Sequence, residues 1–160
     1  MNASPVTPIR PPMAAYREPA SAETEVRSRV YVWCAAWSSV NGELQTAGLR
    51  DLAAPGPIRM SSDFGWSMAA TVDFDDYIAY WAPLLARTFT DWMLIADAPI
   101  GVHFEDDMAA VHFNSRFHGT TREGFRLKQH QHVLQVWEKF ERDWRLTHEQ
   151  TRVNQRGGQA

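Results

Sequence analysis

A chain of 160 residues with 44% apolar and 12% aromatic side chains has material for one well-packed domain and too little for two. Its formal charge of −3 offers no clustered positive charge, so neither nucleic acid nor an anionic membrane is an expected partner. The single cysteine, Cys34, cannot close an internal disulfide, and no apolar run reaches the roughly eighteen residues of a transmembrane helix.

Residues 1–22 carry Pro5, Pro8, Pro11, Pro12 and Pro19 among few large apolar groups. They read as a flexible arm, because so little buriable surface does not offset the entropy of ordering. The opening residues have no basic start followed by an apolar stretch, so no secretory signal is read there, and a cytoplasmic protein is the simplest expectation. Over 22–40 the residues Val26, Val30, Trp33, Trp37 and Val40 recur at steps of four, three, four and three, which defines one face of a helix. Asn41-Gly42 supplies a turn to end it, and 43–52, with Leu44, Leu49 and Leu52, reads as a second, short helix. Pro55-Gly56-Pro57 breaks the chain, 58–62 reads as a short strand, and Ser-Ser-Asp-Phe-Gly-Trp over 61–66 reads as a loop. Asp73 is an N-cap for a third helix through Tyr77, Ile78, Trp81 and Leu85, which Pro83 is expected to kink or shorten. After Thr88 the apolar period drops to two, with strands expected over 89–96, 100–104, 109–119, 124–140 and 143–153. Three helices followed by an antiparallel meander is an α+β layout, with the domain over 23–153 and a flexible tail over 154–160.

Guessing the hairpin turns fixes which side chains share a sheet face. A turn over 105–108 sets Phe104 opposite Ala109, Val102 opposite Val111 and Ile100 opposite Phe113. A turn over 119–123 gives Phe113, Ser115 and Phe117 the same face as Gln131, Val133, Gln135 and Trp137. A turn at Glu141-Arg142 then sets Trp137 beside Leu146, Gln135 beside His148 and Val133 beside Gln150. The inner face so defined holds Gln131, Gln135, His148 and Gln150 among large apolar neighbours. Each such group costs roughly 1 to 3 kcal/mol unless it is hydrogen-bonded, so this face either carries a satisfied polar network or lines a cavity. His103, His112, His130, His132 and Glu149 fall on the opposite face, which suits water or a second subunit.

Trp33-Cys-Ala-Ala-Trp-Ser-Ser-Val-Asn-Gly-Glu43 resembles the first-helix pattern of the nuclear transport factor 2-like (NTF2-like) superfamily in its SnoaL-like branch, and Trp144-Arg-Leu-Thr-His-Glu-Gln-Thr151 resembles the branch's closing strand. The resemblance covers 24–153 and departs from the pattern at Gln150, where a second histidine is usual. It implies a cone-shaped α+β barrel, a pocket between the sheet and the first and third helices, and a homodimer through the outer sheet face. Proteins of this kind include isomerases, cyclases and dehydratases as well as domains that only bind or assemble, so the fold leaves function open. No Asp-Tyr or Arg-x-Asp pair is expected on the inner face of the last strands.

His148 is the candidate general acid or base, since an imidazole titrates near neutral pH; it equally suits a ligand contact or a satisfied core histidine. Asp63 is a candidate carboxylate at the pocket mouth, or a cap on its own turn. Trp33, Trp37, Trp66, Trp81 and Trp137 form either an aromatic lining for a flat apolar ligand or core filling. Tyr77 is a candidate donor to a carbonyl, and Gln131, Gln135 and Gln150 are candidates to hold polar ligand groups. No metal is expected, because three or four convergent ligands are needed and the outer histidines do not supply them, and no cofactor is expected. The reading is a cone for a small, largely apolar molecule, with cofactor-free isomerisation, cyclisation or dehydration through His148; the rival is a binding or dimerisation module without catalysis.

Overall fold

The computed structural model describes residues 20–153. The tail expected over 154–160, and the Pro-rich arm up to residue 19, lie outside the described residues.

Ser21 caps the first helix, α1 (Ala22–Ala36), by accepting the Thr24 N–H, and Val26, Val30 and Trp33 are its buried face. The helix ends short of Val40 because the chain turns back at once. Asn41 (φ 54°) and Gly42 (φ 78°) both have positive φ, as a two-residue hairpin turn with the right twist demands. They join β1 (Ser39–Val40) to β2 (Glu43–Leu44), so the expected start of the second helix is a strand, and α2 is confined to Thr46–Leu52. The strand expected over 58–62 is β3 (Arg59–Asp63), which pairs with β4 (Met68–Thr71) in a second hairpin, so of the loop expected over 61–66 only 64–66 lie outside a strand. Asp73 caps α3 (Phe74–Thr88) by accepting the Asp76 N–H. Pro83 lies inside α3 without ending it. The helix is held by its buried face of Phe74, Tyr77, Ile78, Trp81 and Leu85, which outweighs the one backbone hydrogen bond that proline removes.

The remaining chain forms β5 (Phe89–Glu105), β6 (Met108–Thr121), β7 (Arg126–Phe140) and β8 (Asp143–Val153). The large sheet has the order β4-β3-β8-β7-β6-β5 and is mixed, because β3 runs parallel to β8. Helices packed on this sheet give the expected α+β class; its outermost strands, β4 and β5, do not pair, so it stays open. The two strands expected over 89–104 are one, with a register shift between Asp97 and Gly101 beside Pro99. Phe104 faces Ala109 and Val102 faces Val111 as the turn guess requires. Ser115 likewise faces Gln131, and Phe113 faces Val133.

The last hairpin differs in one respect that decides the site. Trp137 does face Leu146, but the next partner of Val136 is His148, so Thr147 is an extra residue in β8. This β-bulge moves every later side chain of β8 to the other face. Gln135 therefore faces Glu149, and Val133 faces Thr151.

Candidate functional site

Between α1, α3 and the inner sheet face lies a cavity of about 40 Å³, the space open to the centre of a water molecule. Trp33, Trp37, Trp81 and Phe113 supply apolar wall, and Tyr77, Gln131, Glu149 and Thr151 supply polar groups. At roughly 10–15 Å³ per water it admits a few water molecules; a larger guest requires side chains to part. Phe64 is also in the wall, and Trp66, 36% exposed, stacks on Phe64 and meets Trp81 edge-on from the solvent side.

Glu149 is the ionisable centre of this wall. It is 6% exposed, and its Oε2 accepts from Trp33 Nε1 at 2.7 Å and from Gln135 Nε2 at 2.6 Å. Burial pushes its carboxyl up to about 7, against the opposing pull of hydrogen bonds from Gln135, Trp33 and Thr151. Its proton is thus gained and lost near neutral pH. Tyr77 is buried too, and its hydroxyl donates to Ser62 Oγ at 2.9 Å. Burial, and then the Glu149 charge, push this phenol up, so it stays a protonated donor. The same two causes, in the same order, push the Cys34 thiol up, and it behaves as an inert core side chain.

Two of the lining tryptophans also carry an unpaired donor. The indole N–H groups of Trp37 and Trp81 are buried without an acceptor among the described residues. The Trp81 N–H comes near enough to the Tyr77 hydroxyl to ease its ionisation, but not in hydrogen-bond alignment. A buried donor left unpaired costs free energy that an acceptor oxygen on a guest would recover.

Of the residues singled out from the sequence, Trp33, Trp37, Tyr77, Trp81 and Gln131 line the cavity together. Gln131 is oriented by Ser115, whose hydroxyl donates to its Oε1 at 3.1 Å. Gln135 and Trp137 are fully buried but lie behind the wall, where Trp137 Nε1 donates to Gln135 Oε1 at 2.9 Å. His148 and Gln150 do not face inward: the Thr147 bulge turns both outward, opposite Val136 and Leu134. His148 instead borders a shallow surface groove with Arg59, Met60 and Asp76. Asp63 closes its own turn by accepting the Gly65 N–H at 2.9 Å and is not in the cavity wall. Among the described residues no three His, Cys, Asp or Glu side chains converge as metal ligands, and no helix is long and apolar enough to cross a membrane.

The residue that sequence reasoning missed is Glu149, which regular alternation puts on the outer face. The signal for it is faint: Trp144 and Leu146 are inward at a step of two, and Glu149 and Thr151 repeat that step after a gap of three. The carboxylate-tyrosine pair not expected from the strands does arise, with Tyr77 coming from α3 and Glu149 from β8.

No protein-family model matches this chain, and no curated protein matches it. Solved structures do. An NTF2-like superfamily protein from Salmonella enterica serovar Typhimurium superposes with a TM-score of 0.65 at 18% identity, covering 86% of this chain and 96% of that one. A candidate dehydratase of the NTF2-like family from Streptomyces avermitilis gives 0.63 at 14% identity, covering 83% and 96%. An NTF2-like protein of unknown function from Pseudomonas putida gives 0.62 at 18% identity, covering 87% and 92%. The chain has the NTF2-like fold.

Proposed function

We propose that this is a SnoaL-like domain whose cone binds a small, largely apolar carbonyl compound and moves a proton on it without a cofactor. The observation that carries the reading is Glu149: a buried carboxyl in the wall of an aromatic cavity, which burial pushes up to about 7. A general base works best when its pKa lies near the working pH. In this reading Glu149, not His148, takes a proton from the carbon next to the carbonyl; the C–H pair becomes a double bond to the carbonyl carbon, and the C=O π pair moves onto oxygen. The unpaired indole N–H groups of Trp37 or Trp81 hold the developing oxyanion, and Glu149 returns the proton to another carbon or to a departing hydroxyl. The name given to the Streptomyces avermitilis neighbour agrees with the second outcome. The test is exchange of the carbon-bound proton of small cyclic ketones and enones in deuterated water, followed by NMR. Wild type should accelerate it and Glu149→Gln should not; equal rates would sink the assignment.

The small cavity favours a second reading, a module that assembles through its outer sheet face. That face exposes Met93 and Leu134 and carries all six histidines, including His148. A homodimer formed there should dissociate in Leu134→Asp, read by sedimentation. A monomeric wild type would dismiss it.

A further inference from the structure

Gln135 and Trp137 make no contact with the cavity, yet both are completely buried and joined in a chain that ends on Glu149. We propose that this pair is a positioning relay: the Trp137 N–H fixes which end of the Gln135 amide faces Glu149, and thereby favours the ionised carboxylate. The inference rests on the proposed function only for the use to which Glu149 puts its proton.

The argument is one of donor and acceptor parity. An indole N–H donates and cannot accept, so the group it meets at 2.9 Å has to be the amide oxygen of Gln135. The amide is planar, and its NH₂ end is then turned to Glu149 Oε2 at 2.6 Å. An NH₂ group also only donates, so this contact favours an unprotonated Oε2. Reversed, the amide would bring oxygen against oxygen, which is tolerable only with a proton between them. Trp137 thus biases the charge of a carboxyl it does not touch. Trp33 donates to the same oxygen, so both N–H donors converge on Oε2. Burial by itself drives a carboxyl toward its neutral form, and these donors oppose that drive.

The test is NMR titration of the full chain with ¹³C-labelled glutamate carboxyls and ¹⁵N-labelled indoles, with no ligand needed. In wild type the Trp137 indole signal should move with the same midpoint as the Glu149 carboxyl. In Trp137→Phe the amide is free to reverse, and the Glu149 midpoint should rise by about one pH unit. Gln135→Met, which removes the donor outright, should raise it at least as far. A folded Trp137→Phe protein with an unchanged midpoint would overturn the relay. Should neither variant fold, the wild-type titration decides, because a Trp137 signal that stays still through the Glu149 transition also overturns it. A chain that shows the linked midpoints but accelerates no proton exchange loses the proposed activity and keeps the relay.

Discussion

Gln135 and Glu149 meet across β7 and β8 with Nε2 at 2.6 Å from Oε2, although a regular ladder counted from the Trp137–Leu146 pair would set His148 there. The difference is one residue. Thr147 and His148 both stand against Val136, and Thr147 Oγ1 donates to the Val136 carbonyl at 3.3 Å, so the bulge is bonded into the ladder. It exchanges an imidazole for a carboxyl on the inner face.

The first consequence concerns His148. Because it points away from the cavity, His148→Ala should leave proton exchange and ligand binding as in wild type and change stability by no more than about 0.5 kcal/mol, as at other surface positions. Exchange rates and urea midpoints of the variant check this. Loss of activity with the fold intact would place His148 at the reacting atoms and contradict the bulge.

Glu149 makes stability depend on pH in a direction opposite to most carboxyls. Its folded-state value, about 7, lies above the ordinary 4.5. Between those values the folded chain holds a proton that the unfolded chain has released. Stability from this group is therefore full below pH 4.5 and falls as pH rises through about 7. At about 1.4 kcal/mol per unit the loss is on the order of 3 kcal/mol. Glu149→Gln carries no such proton and should be the more stable protein at pH 8, with the gap closing toward pH 4.5. Urea unfolding of both across this range measures it; the outer histidines are common to both proteins and cancel. Parallel profiles would mean that Glu149 ionises like an exposed carboxylate.

Much of the fold is legible in the residues, and the limit of that legibility is local. The spacing of Val26, Val30 and Trp33, the Asp73 cap and the period-two runs after Thr88 each report an element directly, because helix and strand faces repeat at different periods. The registers through Phe104–Ala109, Ser115–Gln131 and Trp137–Leu146 follow from the turns. Past Leu146 they fail, since no side chain at Thr147 marks it as supernumerary and parity arguments carry an error forward unchanged. The parallel pairing of β3 with β8 was equally hidden, because it joins segments far apart in the chain whose composition says nothing of each other. The aromatic wall was legible and the buried carboxyl of Glu149 was not.

The unpaired indole at Trp37 gives a prediction about the guest. If an acceptor oxygen of the ligand meets this N–H, Trp37→Phe removes one hydrogen bond from the complex and none from the free protein. Affinity for a bound ketone should then fall about tenfold, or roughly 1.4 kcal/mol. Calorimetric titration of the two proteins with the same ketone reads the difference. Equal affinities would mean that the ligand oxygen is held elsewhere, with the unpaired indole of Trp81 as the next donor to remove.

The turn at Asn41-Gly42 ties the small hairpin to the site and sets the last prediction. Gly42 has a φ of +78°, and a Cβ built there would stand 2.9 Å from the Thr90 carbonyl oxygen, which is backbone and does not give way. Both a left-handed conformation and a close approach exclude a side chain, whereas Asn41, at φ 54°, is among the side chains that tolerate that region. The same hairpin fastens β5, because the Ser39 hydroxyl accepts the Trp92 N–H at 2.9 Å and donates to the Trp92 carbonyl at 3.1 Å. Trp92 lines the cavity. Gly42→Ala should therefore cost about 1 to 3 kcal/mol in urea unfolding, and it should disturb the indole signal of Trp92 in the folded protein. Asn41→Gly, which relieves φ without adding bulk, should leave both nearly unchanged. A Gly42→Ala protein as stable as wild type would mean that the hairpin can swing clear of Thr90, and that β5 does not depend on it for its position beside the cavity.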